Sequence, residues 1–194
     1  MLSPNKSTET HCDFDNITIV RPLVEVRQLT LSDWEQLKSL RIEALEKHPH
    51  LFSEKVDVAK KRTDQEWQEM IVNSTSLILG AFVGGHMVGI SAIFTDRSDP
   101  SGKTGFLGMS YIQEEFRRMR ISEEFFAQRL SWAKNSPTIE KVSIGHREGN
   151  EPSRRNAERH GFSKEDGVRD DYEFTDGSKG RLITYSMPVT RSGA

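Results

Sequence analysis

Cysteine is almost missing from this chain: Cys12 is the only one in 194 residues. A disulfide within the chain is therefore excluded, and a reducing compartment, by default the cytoplasm, is expected. Long apolar runs are missing too. No stretch approaches the roughly 20 residues that a membrane-spanning helix needs. The first residues, MLSPNKSTETHCDFDN, lack the apolar centre of a secretory signal. Nor does either charge dominate. Lys and Arg number 27 against 29 Asp and Glu, a net charge of −2. That balance argues against bulk electrostatic binding, so neither nucleic acid nor a membrane is expected as a partner. His48 and His50 lack a third ligand at suitable spacing, and no metal is expected. Internal repeats and low-complexity segments are absent.

What is present is the composition of a folded globular protein, with 35% hydrophobic and 29% charged residues. The length suits a single domain with a real core. Residues 1–20 are polar and non-periodic and read as a flexible tail; residues 21–190 read as one domain. Cys12 falls in the tail, where no structured base is implied beside it.

The periodicities then give an ordered series of elements. Residues 24–29 alternate and predict a strand. Ser32-x-x-Glu35 predicts a capping box before a helix carrying Trp34, Leu37, Leu40, Ala44 and Leu45, which ends before Pro49. A loop with Phe52 leads to a second box, Thr63-x-x-Glu66, opening a helix through Trp67, Met70 and Ile71. Residues 76–83 and 86–95 flank Gly84-Gly85 and predict a hairpin. Further on, residues 141–145 predict a strand. Asn150-Glu151-Pro152 starts a helix that stops at Gly161, and a strand begins at 162–165. Residues 167–180 read as a polar loop carrying Tyr172 and Phe174, and 182–189 as the last strand. The predicted class is α/β (α+β), a mixed sheet with helices on its faces.

The stretch 106–135 organises the rest. An apolar run, 106–112, reads as a buried strand. A charged segment, 113–120, follows. Ile121, Phe125, Phe126, Leu130 and Ala133 then recur at helical spacing. A strand passing through a basic loop into a helix suits a bound phosphate. The first helical N–H groups have no partner within the helix, and the helix dipole adds partial positive charge. Arg117, Arg118 and Arg120 add full charges. The plainer alternative is a solvated helix start with no ligand.

Three segments together resemble the GNAT superfamily of N-acyltransferases, as found in small bacterial members. The first is Ile112-Gln113-Glu114-Glu115-Phe116-Arg117-Arg118-Met119-Arg120-Ile121-Ser122, similar to the family pattern V-x-P-x-(aromatic)-R-G-x-G-x-G/A at Ile112, Phe116, Arg117 and Ile121. The second is Asn150-x-x-Ser153 with His160-Gly161-Phe162. The third is Arg41-x-x-Ala44-Leu45, Pro49, Phe52 and Trp67. The resemblance spans residues 24–189. It implies a mostly antiparallel central sheet of about six to seven strands, helices on both faces, and a V-shaped splay between the fourth and fifth strands. There are two departures. Arg118 and Arg120 stand at glycine positions, which leads to the expectation that the loop keeps ordinary helical dihedrals and the guanidinium groups supplement the amides. Ala157 stands where many members have the tyrosine that protonates the departing thiolate.

The resemblance further implies acetyl-CoA as co-substrate, and a primary amine of a small molecule or peptide as acceptor. Many relatives dimerise, so a homodimer is compatible with it. Pantetheine is expected along Ser110, Tyr111 and Ile112, and the diphosphate on Arg117, Arg118, Met119, Arg120, Ile121, Ser122 and Glu123. Asn150, Ser153 and Arg154 are expected on the far side. Candidate catalytic residues are Tyr111, His146 and Glu148, each with a structural alternative: a half-buried strand residue, a bonded loop histidine, a solvated carboxylate. Tyr172 and Phe174 are candidates for the wall of the acceptor pocket, or for a satellite core beneath their loop. The other readings are a CoA-binding sensor without turnover and a purely structural interaction domain.

Overall fold

Every strand among the described residues joins one sheet. The computed structural model describes residues 22–191. The expected N-terminal tail and Cys12 lie outside the described residues. Strands β1 (Val24–Gln28), β2 (Ser76–Val83), β3 (His86–Thr95), β4 (Thr104–Ile112), β5 (Lys141–Arg147), β6 (Ser163–Glu173) and β7 (Lys179–Pro188) form a seven-stranded sheet in the order β1-β2-β3-β4-β5-β7-β6. All neighbours are antiparallel except β4 and β5. The hairpin appears where expected, with Gly84 (φ 56°) and Gly85 (φ 82°) supplying the left-handed turn. Strands β2 and β3 are buried along most of their length because helices cover both faces.

Helices α1 (Trp34–Lys47), α2 (Val56–Lys61) and α3 (Asp64–Val72) lie on one face. There Leu37, Leu40, Ala44, Trp67 and Ile71 pack on Ile78, Ile90 and Ala92. Helices α4 (Ile121–Asn135) and α5 (Glu151–Arg159) cover the other face. Ile121, Phe125, Phe126 and Ala133 of α4 and Ala157 of α5 share a core with Leu79, Ile93, Val142 and Ile183. Packing of these apolar faces, each large buried side chain contributing ~1.5–3 kcal/mol, fixes where the helix ends fall. Among the described residues no helix is long and apolar enough to cross a membrane.

Three expectations need correction. The first helix is not opened by Ser32 and Glu35. The box is Thr30 with Asp33, whose Oδ2 accepts from the Thr30 N–H (2.7 Å) and hydroxyl (2.8 Å). Arg27 of β1 grips the same carboxylate through both nitrogens (2.7 and 2.8 Å), so Asp33 is buried and the chain turns there, in a single 3₁₀ turn before α1. The loop after Phe52 contains a short helix, α2, because Ala59 is buried beneath α1. Residues 167–173 are strand rather than loop. They extend β6, the polar edge of the sheet, whose solvent-facing charges hide a strand from hydrophobic periodicity.

Candidate functional site

Backbone pairing between β4 and β5 runs from Thr104↔Lys141 to Leu107↔Ile144 and stops there. Yet β4 continues to Ile112 on β3, and β5 continues to Arg147 on β7. The two strands therefore splay, opening a crevice at their carboxyl ends. On one face α4 packs on β1 to β4 and α5 packs on β5, so the crevice continues between two helices.

The segment joining β4 to α4 differs from its expected form. A 3₁₀ turn (Glu114–Phe116) leads to Arg118 at φ 66° and Arg120 at φ 62°, both left-handed. The backbone thus keeps the shape that glycine would give, with arginine in it, instead of ordinary helical dihedrals. Each such residue costs roughly 1–2 kcal/mol, a strain that persists only where the surroundings impose it. The surroundings here are Phe116 and Met119, which pack into the α4 core on either side of Arg118. In consequence α4 begins on Arg120 without a side-chain cap, and its first internal bond is Glu124 N–H to the Arg120 carbonyl (3.2 Å). The N–H groups of Ile121, Ser122 and Glu123 precede that bond. The exposed side chains of Arg118 and Arg120 flank them. Arg117 is engaged elsewhere: its Nε donates to the Ile112 carbonyl (3.2 Å) and its Nη1 pairs with Glu114 (3.1 Å). Ser122 Oγ accepts from Asn156 Nδ2 of α5 (2.7 Å), and Glu123 pairs with Arg159 (3.5 Å). These two contacts tie α5 to the start of α4 across the crevice.

Strand β4 bulges opposite Ser91. The register slips between Ile90 and Ala92, and Met109 takes φ 56°. Ser110 then points toward α4. Its hydroxyl bonds Ser91 Oγ (2.8 Å) and accepts from Arg129 Nη1 (3.1 Å). Arg129 is 1% exposed, donates Nε to the Phe125 carbonyl (3.1 Å) and lies 4.5 Å from the centre of the Phe126 ring. Burial pushes its pKa down to about 9. Sequence reasoning missed Arg129, because a polar residue inside an amphipathic helix carries no signal of burial. Asn156 was missed because its role is a bond to Ser122 of α4, 34 residues away in the chain.

Tyr111 points to the opposite face. Its hydroxyl donates to Glu43 of α1 (2.9 Å), which also accepts from Gln113 Nε2 (2.9 Å). Burial and the Glu43 carboxylate push the phenol well above its usual range. Although burial opposes it, the bonds from Lys47, Tyr111 and Gln113 hold Glu43 below the usual carboxylate range.

On the β5 side, Asn150 caps α5, its Oδ1 accepting from the Ser153 N–H (3.2 Å). Arg154 bridges Glu151 (2.7 Å) and Glu158 (2.8 Å), which raise its pKa further. His146 is buried and stacked on Tyr185 at 5.3 Å. Its Nδ1 meets the Arg147 carbonyl (3.0 Å), and its buried Nε2 has no partner among the described residues. Glu148 is exposed and paired with Arg181 (2.6 Å).

The other face holds an open cavity of about 1280 Å³, lined by Met109, Phe94, Phe106, Leu182, Tyr172 and Arg62 among others. Tyr172 thus walls a cavity. Phe174 is not in that lining; it is buried in the turn after β6, beneath Tyr172 (5.0 Å) and the Arg147 guanidinium (4.5 Å). Of the sequence candidates, Ser110, Ile112 and residues 118–123 share the crevice face with α5 and His146. Tyr111 and Tyr172 belong to the cavity face, and Glu148 stands outside both.

Comparison with known proteins agrees with this architecture. The Acetyltransferase (GNAT) family model matches residues 34–162. No curated protein matches the chain by sequence. Among solved structures, a GNAT-family acetyltransferase from Streptococcus pneumoniae superposes with a TM-score of 0.74 at 16% identity, covering 87% of this chain and 100% of its own. A ribosomal-protein-alanine N-acetyltransferase from Brucella melitensis gives 0.71 at 19% identity, covering 84% and 99%. A ribosomal L7/L12 alpha-N-protein acetyltransferase in complex with coenzyme A gives 0.69 at 16% identity, covering 89% and 97%.

Proposed function

The chain belongs to the GNAT acetyltransferase family, and on that premise we propose that it transfers an acetyl group from acetyl-CoA to a primary amine of a small molecule or peptide. One observation carries the reading. The β4–β5 crevice opens beside a helix start whose amides are uncapped and whose approach is held left-handed at Arg118 and Arg120. Packing of Phe116 and Met119 imposes this strained shape on the loop that leads to those amides. A diphosphate on the amides of residues 118–123 satisfies them, and the two flanking guanidinium groups add charge-assisted bonds. Pantetheine then runs past Ser110 to Ile112 as an added strand, with Asn150, Ser153 and Arg154 on the α5 side. Arg117 contributes by holding the end of β4 rather than by touching phosphate.

The acceptor amine comes from the cavity on the opposite face, past Tyr172, and meets the thioester where the sheet has parted. It must arrive neutral. Tyr111 holds its proton too tightly to act as base, and Glu148 is tied to Arg181. His146 is the base we assign. With Nδ1–H donated to the Arg147 carbonyl, its Nε2 carries an unused lone pair in a buried setting. Residues 21–190 act as one domain in this reading, and a cytoplasmic setting suits it.

The test is a thermal-shift and calorimetric titration with acetyl-CoA, followed by thiol release across a panel of amines. Binding at 100 times Kd should stabilise the fold by about 2.7 kcal/mol. Absence of binding at millimolar acetyl-CoA contradicts the proposal. Binding without turnover on any amine favours a CoA sensor, the reading to which buried Ala157 in place of a phenol lends support.

A further inference from the structure

The chain has alanine at position 157, buried in the core, so no phenol from α5 can meet the thiolate that leaves when an acyl group is transferred. The crevice offers a different donor. Ser91 is fully buried, and Ser110 Oγ is the partner its hydroxyl has among the described residues. Were Ser91 only an acceptor, its own proton would be buried without a bond, which costs about 1–3 kcal/mol. Ser91 is therefore the donor in that pair. Arg129 also donates to Ser110 Oγ. A hydroxyl has two acceptor sites and one proton. With both acceptor sites of Ser110 filled from inside the protein, its own O–H has to point away from Ser91 and Arg129. Ser110 is exposed, on the stretch of β4 beyond its last pairing with β5. The outward direction is the crevice.

Behind that hydroxyl stands a buried cation with no carboxylate in ion-pair range among the described residues. A buried charge without a counter-ion is costly, and Arg129 offsets part of that cost through its bonds to the Phe125 carbonyl and Ser110 and its contact with the Phe126 ring. Its field polarises Ser110 toward whatever negative charge appears in the crevice.

We propose that Ser110 donates a hydrogen bond to the departing CoA sulfur, with Ser91 and Arg129 as positioning residues that aim and polarise its hydroxyl. The inference rests on the acyltransferase reading. In the step itself the amine nitrogen bonds to the thioester carbonyl carbon and the carbon–sulfur bond breaks, its electron pair leaving on sulfur. The amine proton passes to the base. The Ser110 proton stays on Ser110, and solvent protonates the thiolate afterwards. The site thus lowers the charge developing on sulfur without a proton transfer from serine, whose alkoxide would be far too basic.

The experiment is ultraviolet titration of the thiolate of CoA bound to the intact protein, in wild type, Ser110→Ala, Arg129→Lys and Arg129→Met. Free CoA titrated in the same buffer is the reference; a cysteine thiol has a pKa of about 8.5. Bound to wild type, its ionisation constant is expected to rise tenfold or more. Ser110→Ala is expected to return it to the free value, Arg129→Met likewise, and Arg129→Lys to restore part of the shift. Ser110 is exposed, so its variant tests the idea even if Arg129→Met does not fold. In turnover, Ser110→Ala should lower kcat by about 10- to 100-fold, at or below the range of a single lost oxyanion donor, with little change in KM for acetyl-CoA. CoA that binds but titrates as in water in wild type overturns this inference and leaves the acyltransferase proposal standing. A chain that does not bind CoA overturns both.

Discussion

Helices α4 and α5 both follow a strand of the splay, yet their beginnings are built in opposite ways. α5 is closed: Asn150 caps it, Glu151 and Pro152 fill its first turn, and Arg154 ties that turn to Glu158. α4 is open: Arg120 stands at its cap position in a left-handed conformation and offers no side-chain bond. The closed end needs no ligand to satisfy its donors. The open end leaves donors for something else and holds two strained residues beside them. α2 also starts without a side-chain cap, so what sets α4 apart is that its open end follows two left-handed residues at the mouth of the crevice.

The sharpest way to break that contrast is to fill the open end. Ser122→Trp puts bulk on the α4 amides and removes the Asn156 bond. Acetyl-CoA affinity should fall by about 100-fold or more, since at least two charge-assisted bonds at ~1.5–3 kcal/mol each are lost. Calorimetry checks it, with circular dichroism to show that the fold persists.

The closed ends should instead respond in stability. The Thr30–Asp33 box before α1 is of this kind, and it responds to acid. Bonds from Arg27, against the penalty of burial, pull the Asp33 pKa down to about 2. In the unfolded chain the value is about 3.9. A lowered folded value favours the folded state wherever the unfolded carboxyl is ionised. The contribution, about 1–2 kcal/mol, is therefore full above pH 4 and fades as pH falls toward 2. Asp33→Asn should remove that part of the pH dependence in acid melting curves and leave acetyl-CoA affinity unchanged.

Asn150→Ala should cost about 1 kcal/mol of stability by uncapping α5, read as a lower melting temperature. It is expected to weaken acetyl-CoA only a few-fold, because α5 presents the pantetheine side and not the diphosphate seat. A collapse of affinity equal to that of Ser122→Trp would erase the distinction between the two helix starts.

The smallest effect is expected at Arg118. Arg118→Gly releases left-handed strain but loosens the unfolded chain, for a net gain of about 0.5–1 kcal/mol. Loss of the guanidinium should lower acetyl-CoA affinity several-fold. Melting temperature and affinity then move in opposite directions, which is the signature of strain kept for a ligand.

Local chemistry explains what could be read in advance. The Gly84-Gly85 hairpin, the Thr63–Glu66 box and the strand–loop–helix around residues 106–135 are encoded by neighbours in sequence, and each stands where expected. The order of helices and strands followed apart from α2, whereas the splay was expected only from the family resemblance. What could not be read depends on groups far apart in the chain. Asp33 displaced Glu35 as the capping acid because Arg27 reaches it from β1. Residues 167–173 of β6 were read as loop because an exposed edge strand needs no apolar alternation. Tyr111 looked free to act as a base until Glu43, 68 residues earlier in the chain on α1, took its hydroxyl. Arg118 and Arg120 were expected in helical dihedrals because left-handed arginine is costly, and the packing of Phe116 and Met119 overrides that cost. Arg129 is the extreme case: only the bulge of β4 shows why a charged residue is buried there.

The open end of α4 as a diphosphate seat is tested most directly by comparing CoA with pantetheine, which shares the thiol arm but lacks the diphosphate and nucleotide, in one calorimetric titration of the wild-type protein. The account predicts that CoA binds at least about 100-fold tighter, and that Ser122→Trp removes most of that advantage. Equal affinities for the two ligands in the wild type, or an advantage that survives Ser122→Trp intact, would contradict it.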